Sequence, residues 1–246
     1  MNAPPRVRPG LRASLSTPQA KRRYVRRLFS TIADRYDLIT SFLSYGQDRR
    51  WKRRLTTLAD VRPGMQALDL ACGTGDIAYA LQAGGAVTTG LDITPRMLEL
   101  GAAKQTSGSR PRWIAGDMMA LPFASAQFDV VTTGYGIRNV PVIQGALDEI
   151  HRVLKPGGLF LSLDFNRPSN LAVRAIYLSY LTVVGSSLGF VLHGDPDTYR
   201  YIPESIKRYP GAVAVCGLLR ECGFSRCDYL PVFGGLMAIH RAVRER

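Results

Sequence analysis

The sequence predicts an α/β fold in which helices wrap a mostly parallel sheet, with a helical cap before the sheet and an antiparallel hairpin at its end. Strand-like apolar runs alternate with helical patterns through the middle of the chain, and this order is typical of a parallel sheet. The first run, at 67–71, leads directly into a glycine-rich turn. Two strand-like runs near the end, at 224–230 and 236–240, have a short glycine-containing connection, which favours a hairpin.

The cap and the sheet follow one another in order along the chain. Apolar residues at helical spacing predict cap helices at 19–36 and 48–58. The sequence Lys-Pro-Gly-Gly at 155–158 ends a helix and turns the chain into a strand at 159–165. The other elements predicted between the first strand and the hairpin are helices at 77–83, 96–104, 142–154 and 213–222, and strands at 87–91, 112–115 and 128–133.

The length of 246 residues fits one sizeable domain, and no internal repeat or second domain is visible. We expect a disordered basic tail at 1–18, whose first residues are rich in Pro and Arg. The remaining 19–246 are expected to form a single domain. Within it, 19–60 make the helical cap and 61–246 make the α/β core.

An uncharged segment at 175–192 interrupts the regular order. Its 18 residues are enough for a membrane span. It also contains serines, a threonine and two glycines, and it lies between runs that belong to one sheet. A buried or interfacial helix pair is therefore the favoured interpretation, and a true span is the alternative.

The glycine-rich turn predicts a nucleotide site. Gly73 and Gly75 allow a sharp strand-to-helix turn that presents free N–H groups to a ligand. Asp92 follows Gly73 by 19 positions, near the roughly 20 expected for the carboxylate that binds ribose hydroxyls. An ordinary βα turn with an unrelated acid downstream is the alternative. The combination nevertheless predicts a cofactor that contains adenosine.

The acidic residues around the turn indicate which cofactor binds. A pyrophosphate would be repelled by Asp76 at the start of the next helix. S-adenosylmethionine has no phosphate, and its sulfonium and ammonium charges suit carboxylates such as Asp69 and Asp76. Asp117 and Met118 follow a third apolar run, where an acid and an apolar neighbour can hold an adenine. The sequence therefore predicts S-adenosylmethionine.

The charge of the chain is concentrated at its N-terminal end. Of the net charge of +13, residues 1–54 contribute +11, from 14 Lys and Arg and three Asp. Such a surface suits nucleic acid, an anionic membrane or solvent alone. The arginines have no interleaved run of aromatic residues and no RNA-binding motif, which argues against nucleic acid.

The cysteines and histidines predict neither a disulfide framework nor a metal site. The four cysteines lack the paired spacing of either, so reduced thiols in the cytoplasm are the simple interpretation. His193, Asp195 and Asp197 lie together, but in a turn that contains proline. We therefore expect no metal.

A loop at 134–140 follows the central strand and reads Gly-Tyr-Gly-Ile-Arg-Asn-Val. Its Arg138-Asn139 pair lies at the edge where parallel strands end and ligands bind, although a surface loop without function is the alternative. Together with other segments it resembles the C-methyltransferases of menaquinone and ubiquinone biosynthesis. The segments that carry this resemblance are 29–37, 43–46 with Trp51, 68–76, 90–93 with Met97 and Leu98, 121–123, 136–139, 152–158 and 201–206.

The resemblance implies a Rossmann-like, seven-stranded sheet of the class I methyltransferases that use S-adenosylmethionine. It places cofactor contacts on Thr74, Asp92, Asp117 with Met118, and Gly134. Gly134 stands where some members have serine, so only a backbone contact is left there. A second departure is Thr40, which stands where asparagine is usual.

The segments at 134–140 and 163–168 are most similar to the branch that acts on naphthoquinols, which implies a polyprenyl naphthoquinol as substrate. Methylating a ring carbon requires the electron-rich quinol. Arg138 is then the candidate that stabilises the phenolate, and Asn139 the candidate that holds the second ring oxygen. Tyr36 would relay a proton or exclude water. The alternatives are core packing for Tyr36 and turn stabilisation for Asn139.

The polyprenyl tail of such a substrate needs an apolar lining, for which the segment at 175–192 and the segment near 199–201 are the candidates. The basic N-terminal helices would face anionic lipids, so we expect a cytoplasmic protein at the inner face of the membrane. The sequence leaves open whether the protein forms a homo-oligomer. The rival functions are methylation of a benzoquinol in ubiquinone biosynthesis, methylation of nucleic acid, and a scaffold that binds the cofactor without catalysis.

Overall fold

The structure, a computed structural model, describes residues 11–104, 109–168 and 170–245. Within them the strands form one seven-stranded sheet in the order β3-β2-β1-β4-β5-β7-β6. The strands are β1 (Gln66–Leu70), β2 (Val87–Asp92), β3 (Arg112–Ala115), β4 (Phe128–Gly134), β5 (Leu154–Phe165), β6 (Phe224–Val232) and β7 (Met237–Arg244). The first five pair in parallel, and β7 pairs antiparallel with both β5 and β6. The predicted fold class is confirmed.

The helices cover both faces of the sheet and its carboxyl edge. They are α1 (Leu11–Ser14), α2 (Pro18–Ile32), α3 (Tyr36–Leu43), α4 (Asp48–Ala59), α5 (Asp76–Ala83), α6 (Pro95–Ala103), α7 (Ile143–Val153), α8 (Leu171–His193), α9 (Asp197–Arg208) and α10 (Ala212–Glu221). One apolar core lies between the sheet and α7 with α10, and a second lies between the sheet and α4 with α5. Burial on both faces explains why the central strands read as continuous apolar runs.

A third apolar cluster holds the cap together, and it joins α2 and α3 to α8 and α9. The cap is therefore larger than predicted, because two helices from the second half of the chain belong to it. The predicted helix at 19–36 is interrupted by a 3₁₀ turn at Ala33–Arg35, after which α3 begins at Tyr36.

The predicted tail at 1–18 differs from the structure where the two can be compared. Residues 11–14 form α1, Leu15 is buried in the cap cluster, and α2 begins at Pro18 with the Thr17 side chain as its N-cap. An apolar contact with the cap thus orders this part of the basic segment. The first ten residues of the predicted tail lie outside the described residues.

The predicted helix pair at 175–192 is wrong, because this segment forms one continuous helix, α8. Its glycines do not break the helix. They let it approach the segment that precedes and begins α9, since a Cβ at Gly189 would lie 2.6 Å from the Asp195 carbonyl and one at Gly185 would lie 3.2 Å from that of Tyr199. By length and composition alone, α8 could cross a membrane, and only 17% of its most apolar window is buried.

Candidate active site

The turn between β1 and α5 has the conformation that its glycines predict. Gly73 and Gly75 have φ angles of +54° and +86°, a region that side chains with a Cβ rarely adopt. A Cβ at Gly75 would lie 2.3 Å from the Trp113 ring, so a larger residue would not fit there. The Tyr36 ring lies over the other glycine, 3.7 Å from where a Cβ on Gly73 would be. The backbone of the turn therefore packs directly against the Tyr36 ring, with no side chain on Gly73 between them.

Asp92 fixes the shape of this turn. It lies at the end of β2, and its carboxylate accepts hydrogen bonds from the Gly73 N–H at 2.9 Å and the Thr94 N–H at 2.8 Å. Burial raises the pKa of Asp92, and the hydrogen bonds from backbone N–H groups offset only part of this increase. The carboxylate therefore joins the ends of two neighbouring strands at the carboxyl edge of the sheet.

A cleft of about 80 Å³ lies at this edge, and we call it the cofactor cleft. Five of the predicted cofactor residues line it, namely Gly73, Asp92, Asp117, Met118 and Gly134. The Arg22 side chain of α2 reaches across and lies 2.7 Å from the Asp117 carboxylate. The cap thus closes the cleft on the side where an adenine is expected.

A recess of about 20 Å³ adjoins the turn and is lined by Asp69 and Thr74. Asp69 is buried, and one of its oxygens accepts a 2.8 Å hydrogen bond from Thr132, while the other has no partner in the described part of the chain. Burial raises the pKa of Asp69 to about 7. Gly75 does not line either space, and it acts through its close contact with Trp113.

Two lysines that the sequence analysis missed surround the recess. Lys52 of α4 lies 2.6 Å from Asp48 and 2.8 Å from Asp76, and Lys104 contacts Thr74 at 2.7 Å and Asp76 at 2.9 Å. Burial raises the pKa of Asp76, but the two lysines outweigh it and hold this pKa at about 2. The spacing of Asp48 and Lys52 was visible in the predicted cap helix. Their approach to the turn depends on the fold.

A second space lies between the cap and the sheet edge, and we call it the apolar cavity. Its volume is about 460 Å³. Aromatic side chains form much of its wall: Phe29, Tyr36, Tyr45, Trp51, Tyr135, Phe165, Tyr177, Tyr180, Tyr199, Tyr201 and Phe233. Phe29, Tyr36, Tyr135 and Asn139 line both this cavity and the cofactor cleft. We call these four residues the shared wall.

Arg138 lies in the wall of the apolar cavity, but its charge is not free. Its Nε lies 3.2 Å from Asp164, its backbone N–H donates to the same carboxylate at 3.0 Å, and its Nη1 donates to Ser205. The guanidinium carbon lies 4.9 Å from the centre of the Phe165 ring. The Asp164 carboxylate therefore compensates the positive charge of Arg138, which was expected to stabilise the phenolate. No local pattern had indicated this ion pair.

Asn139 is held from two sides. Its Nδ2 donates to the Tyr135 carbonyl at 2.7 Å, and its Oδ1 accepts a 2.8 Å hydrogen bond from the Tyr201 hydroxyl. The buried hydroxyl of Tyr135 has no partner among the described residues. Burial raises the pKa values of Tyr36, Tyr135 and Tyr201, so these phenols keep their protons near neutral pH. Tyr36 is therefore a protonated phenol where the cofactor cleft and the apolar cavity meet.

The residues present fit S-adenosylmethionine. The free carboxylate oxygen of Asp69 suits an ammonium, and Asp92 with Asp117 suits the hydroxyls and amine of an adenosine. A seven-stranded sheet with an antiparallel end is the fold of the class I methyltransferases that use S-adenosylmethionine, and the cleft lies at the carboxyl edge of this sheet. The model of the ubiE/COQ5 methyltransferase family matches residues 17–244, and the chain belongs to this family.

Comparisons with individual proteins agree with this assignment. The chain is 41% identical to the ubiquinone/menaquinone biosynthesis C-methyltransferase UbiE of Methylobacterium nodulans, over 88% of each chain. It is 40% identical to the demethylmenaquinone methyltransferase of Thermus thermophilus, over 87% of this chain and 98% of the relative. A solved SAM-dependent methyltransferase from Thermotoga maritima has the same fold, with a TM-score of 0.65 and 17% identity, covering 90% of this chain and 100% of that one. The chain is thus a methyltransferase of the ubiE/COQ5 family, and both of these relatives carry names from quinone biosynthesis.

Proposed function

We propose that the protein methylates a ring carbon of a polyprenyl naphthoquinol in menaquinone biosynthesis. The observation that carries this proposal is the shared wall, which brings a cofactor cleft and an aromatic cavity together at Tyr36, Tyr135 and Asn139. A fused aromatic ring suits the aromatic lining of the cavity. The relative from Thermus thermophilus carries the name demethylmenaquinone methyltransferase, which favours the naphthoquinol over a benzoquinol.

The chemistry follows from the groups at the shared wall. S-adenosylmethionine supplies an electrophilic methyl group when bound. Asn139 and the unpartnered Tyr135 hydroxyl are the polar groups placed to bind the ring oxygens. As the phenolic proton leaves, hydrogen bonds to the oxygen stabilise the charge that develops on the ring. The ion pair of Arg138 and Asp164 holds this wall in position. Because Asp164 compensates its charge, the guanidinium gives a weaker positive potential at the ring oxygen than an unpaired cation would.

The proton of the phenol leaves through water in this proposal. Among the described residues that line the apolar cavity, none is Asp, Glu or His. The tyrosines keep their own protons near neutral pH because burial raises their pKa values. A water held by Asn139 or Tyr135 is thus the acceptor that the wall allows.

The outer part of the apolar cavity suits an isoprenoid chain. Ile39 and Leu43 of α3 line it on one side, and Ile176 and Leu181 of α8 line it on the other. At its edge the rings of Tyr45 and Tyr180 stack with centroids 5.8 Å apart. The proposed tail would run between α3 and α8, toward the exposed surface of these helices.

The test of this function compares two reduced acceptors with purified protein and S-adenosylmethionine. We expect a prenylated naphthoquinol to be methylated on a ring carbon, with kcat/KM at least about ten-fold above that for a prenylated benzoquinol. The oxidised naphthoquinone is the control, and it should give no product. A preference for the benzoquinol would support ubiquinone biosynthesis instead, and lack of product from both quinols would refute the proposal.

We propose further that α3 and α8 rest on the cytoplasmic face of a membrane. Leu38 and Phe42 of α3 are 66% and 58% exposed, and Ile176 and Val183 of α8 are 72% and 65% exposed. Arginines on the exposed faces of α2 and α4 lie in the helices before and after α3. Apolar side chains beside basic ones suit a surface of anionic lipid.

Vesicle flotation tests the membrane contact. We expect the protein to bind vesicles that contain anionic lipid, and Val183→Glu to weaken this binding at least about ten-fold, because it replaces a lipid-facing apolar side chain outside the cavity lining with a charge. Val213→Glu is the matched control, since Val213 is 71% exposed but lies on α10, away from α3 and α8. Equal loss in both variants, or no binding of the unmodified protein, would contradict this placement.

A further inference from the structure

The cap helix α2 reaches the active-site loop through one side chain, Lys21. Its Nζ donates to the carbonyl of Arg138 at 3.0 Å and to the carbonyl of Val140 at 2.6 Å. These two carbonyls belong to the residues on either side of Asn139. The ammonium therefore holds the backbone of the residue whose side chain forms part of the shared wall.

The surroundings of Lys21 are unfavourable for a cation. It is half-buried, and the charged groups around it are the guanidiniums of Arg138 and Arg208 and the carboxylate of Asp164, which already pairs with Arg138. Burial and the two guanidiniums lower the pKa of Lys21 to about 8. Within the described part of the chain, no carboxylate lies within ion-pair distance of Nζ, so the two carbonyl contacts are what offsets its lost hydration.

A second side chain of α2, Tyr24, supports Asn139 indirectly. Tyr24 lies three residues after Lys21 on α2, and its ring lies 5.6 Å from the ring of Tyr201. Tyr201 in turn donates its hydroxyl hydrogen bond to the Asn139 side chain. Helix α2 thus fixes the backbone of Asn139 directly and its side chain through Tyr201.

We propose that Lys21 is a positioning residue of the methyl transfer, which keeps Asn139 aimed at the acceptor ring. This inference rests on the proposed function, in which Asn139 binds a ring oxygen. With Lys21 protonated, its two hydrogen bonds to the loop are charge-assisted, and they weaken when the ammonium loses its proton. The neighbouring phenols of Tyr201 and Tyr209 stay neutral in this range because burial raises their pKa values.

The variant Lys21→Met tests this role, because methionine keeps most of the chain length and removes the donor. We expect kcat to fall about ten- to hundred-fold, as for other displaced catalytic groups, while the Kd for S-adenosylhomocysteine in calorimetry stays within about three-fold. Unmodified enzyme should lose kcat as the pH rises through about 8, and the variant should lack this step. Lys21→Arg should recover part of kcat and move the step to higher pH.

Arg26→Met is the matched control, because it removes one positive charge from the exposed face of the same helix. It should leave kcat and its pH dependence unchanged. An unchanged kcat in Lys21→Met would overturn the proposal. So would a weakened Kd with normal kcat, which would place Lys21 on the cofactor side.

A second measurement separates this inference from the proposed function. The side-chain amide signals of Asn139, identified by their loss in Asn139→Asp, can be followed by NMR in protein that carries S-adenosylhomocysteine and no acceptor. We expect them to shift in Lys21→Met and to stay in place in Arg26→Met. Shifts without any quinol turnover would refute the proposed function alone, and unmoved signals would refute the role of Lys21.

Discussion

Asp92→Ala is expected to abolish measurable binding of S-adenosylhomocysteine. The carboxylate of Asp92 holds the Gly73 and Thr94 N–H groups, so its loss leaves two buried donors unsatisfied and releases the turn. Each hydrogen bond to a charged group contributes about 1.5–3 kcal/mol. Loss of both, together with the predicted contact to ribose, is expected to weaken binding by roughly a thousand-fold or more. Isothermal calorimetry measures this directly.

The control for this experiment is Glu99→Ala, which removes an exposed carboxylate from α6, the helix that follows Asp92. Its Kd should equal that of the unmodified protein. Asp92→Asn keeps the shape of the side chain and should still bind weakly, because an amide accepts hydrogen bonds through one oxygen only. If Asp92→Ala folds and keeps a Kd within about ten-fold of normal, the ribose assignment is wrong.

Asp164→Asn is expected to lower the free energy of unfolding by about 3–5 kcal/mol, because it leaves the Arg138 guanidinium buried without its partner. Asp164 is fully buried and Arg138 is 5% exposed, so water cannot replace the lost carboxylate. Thermal or urea denaturation measures the change. The exposed pair of Asp197 and Arg200 is the control, and Asp197→Asn should change the stability by less than about 1 kcal/mol.

The double variant Arg138→Met/Asp164→Leu separates structure from chemistry at this pair. Removing both charges should recover most of the lost stability, since apolar replacement of a buried ion pair is often neutral. Turnover should stay low while S-adenosylhomocysteine still binds, because neither residue lines the cofactor cleft. Normal turnover in the double variant would show that Arg138 has only a structural role.

The parallel part of the sheet could be predicted because its signals are local. The strand at 112–115 has the predicted bounds, and the glycine turn at Gly73 and Gly75 follows β1 as expected. Strand β5 begins earlier than predicted, since Leu154 already pairs with Phe128 before an irregularity in the ladder. The segment at 175–192 forms the single helix α8 because its glycines make room for a neighbouring segment, and no local pattern indicates that contact.

Part of the site could also be predicted from sequence, because its position follows from local signals. Residues that follow parallel strands, such as Asp92 and Asp117, meet at one edge of the sheet by topology alone. Contacts made by the cap depend on how the helices dock. Lys21 reaches a carbonyl 119 residues away, and Tyr201 reaches Asn139 across 62 residues. No pattern within a segment encodes such pairs, and the ion pair of Arg138 with Asp164 was missed on this ground.

The shared wall consists of protein side chains, and helix α2 borders the spaces on both of its sides. It contributes Arg22 and Val25 to the cofactor cleft, and Leu28 and Ile32 to the apolar cavity. Helix α2 therefore couples the two spaces, because any displacement of this helix changes the size of both.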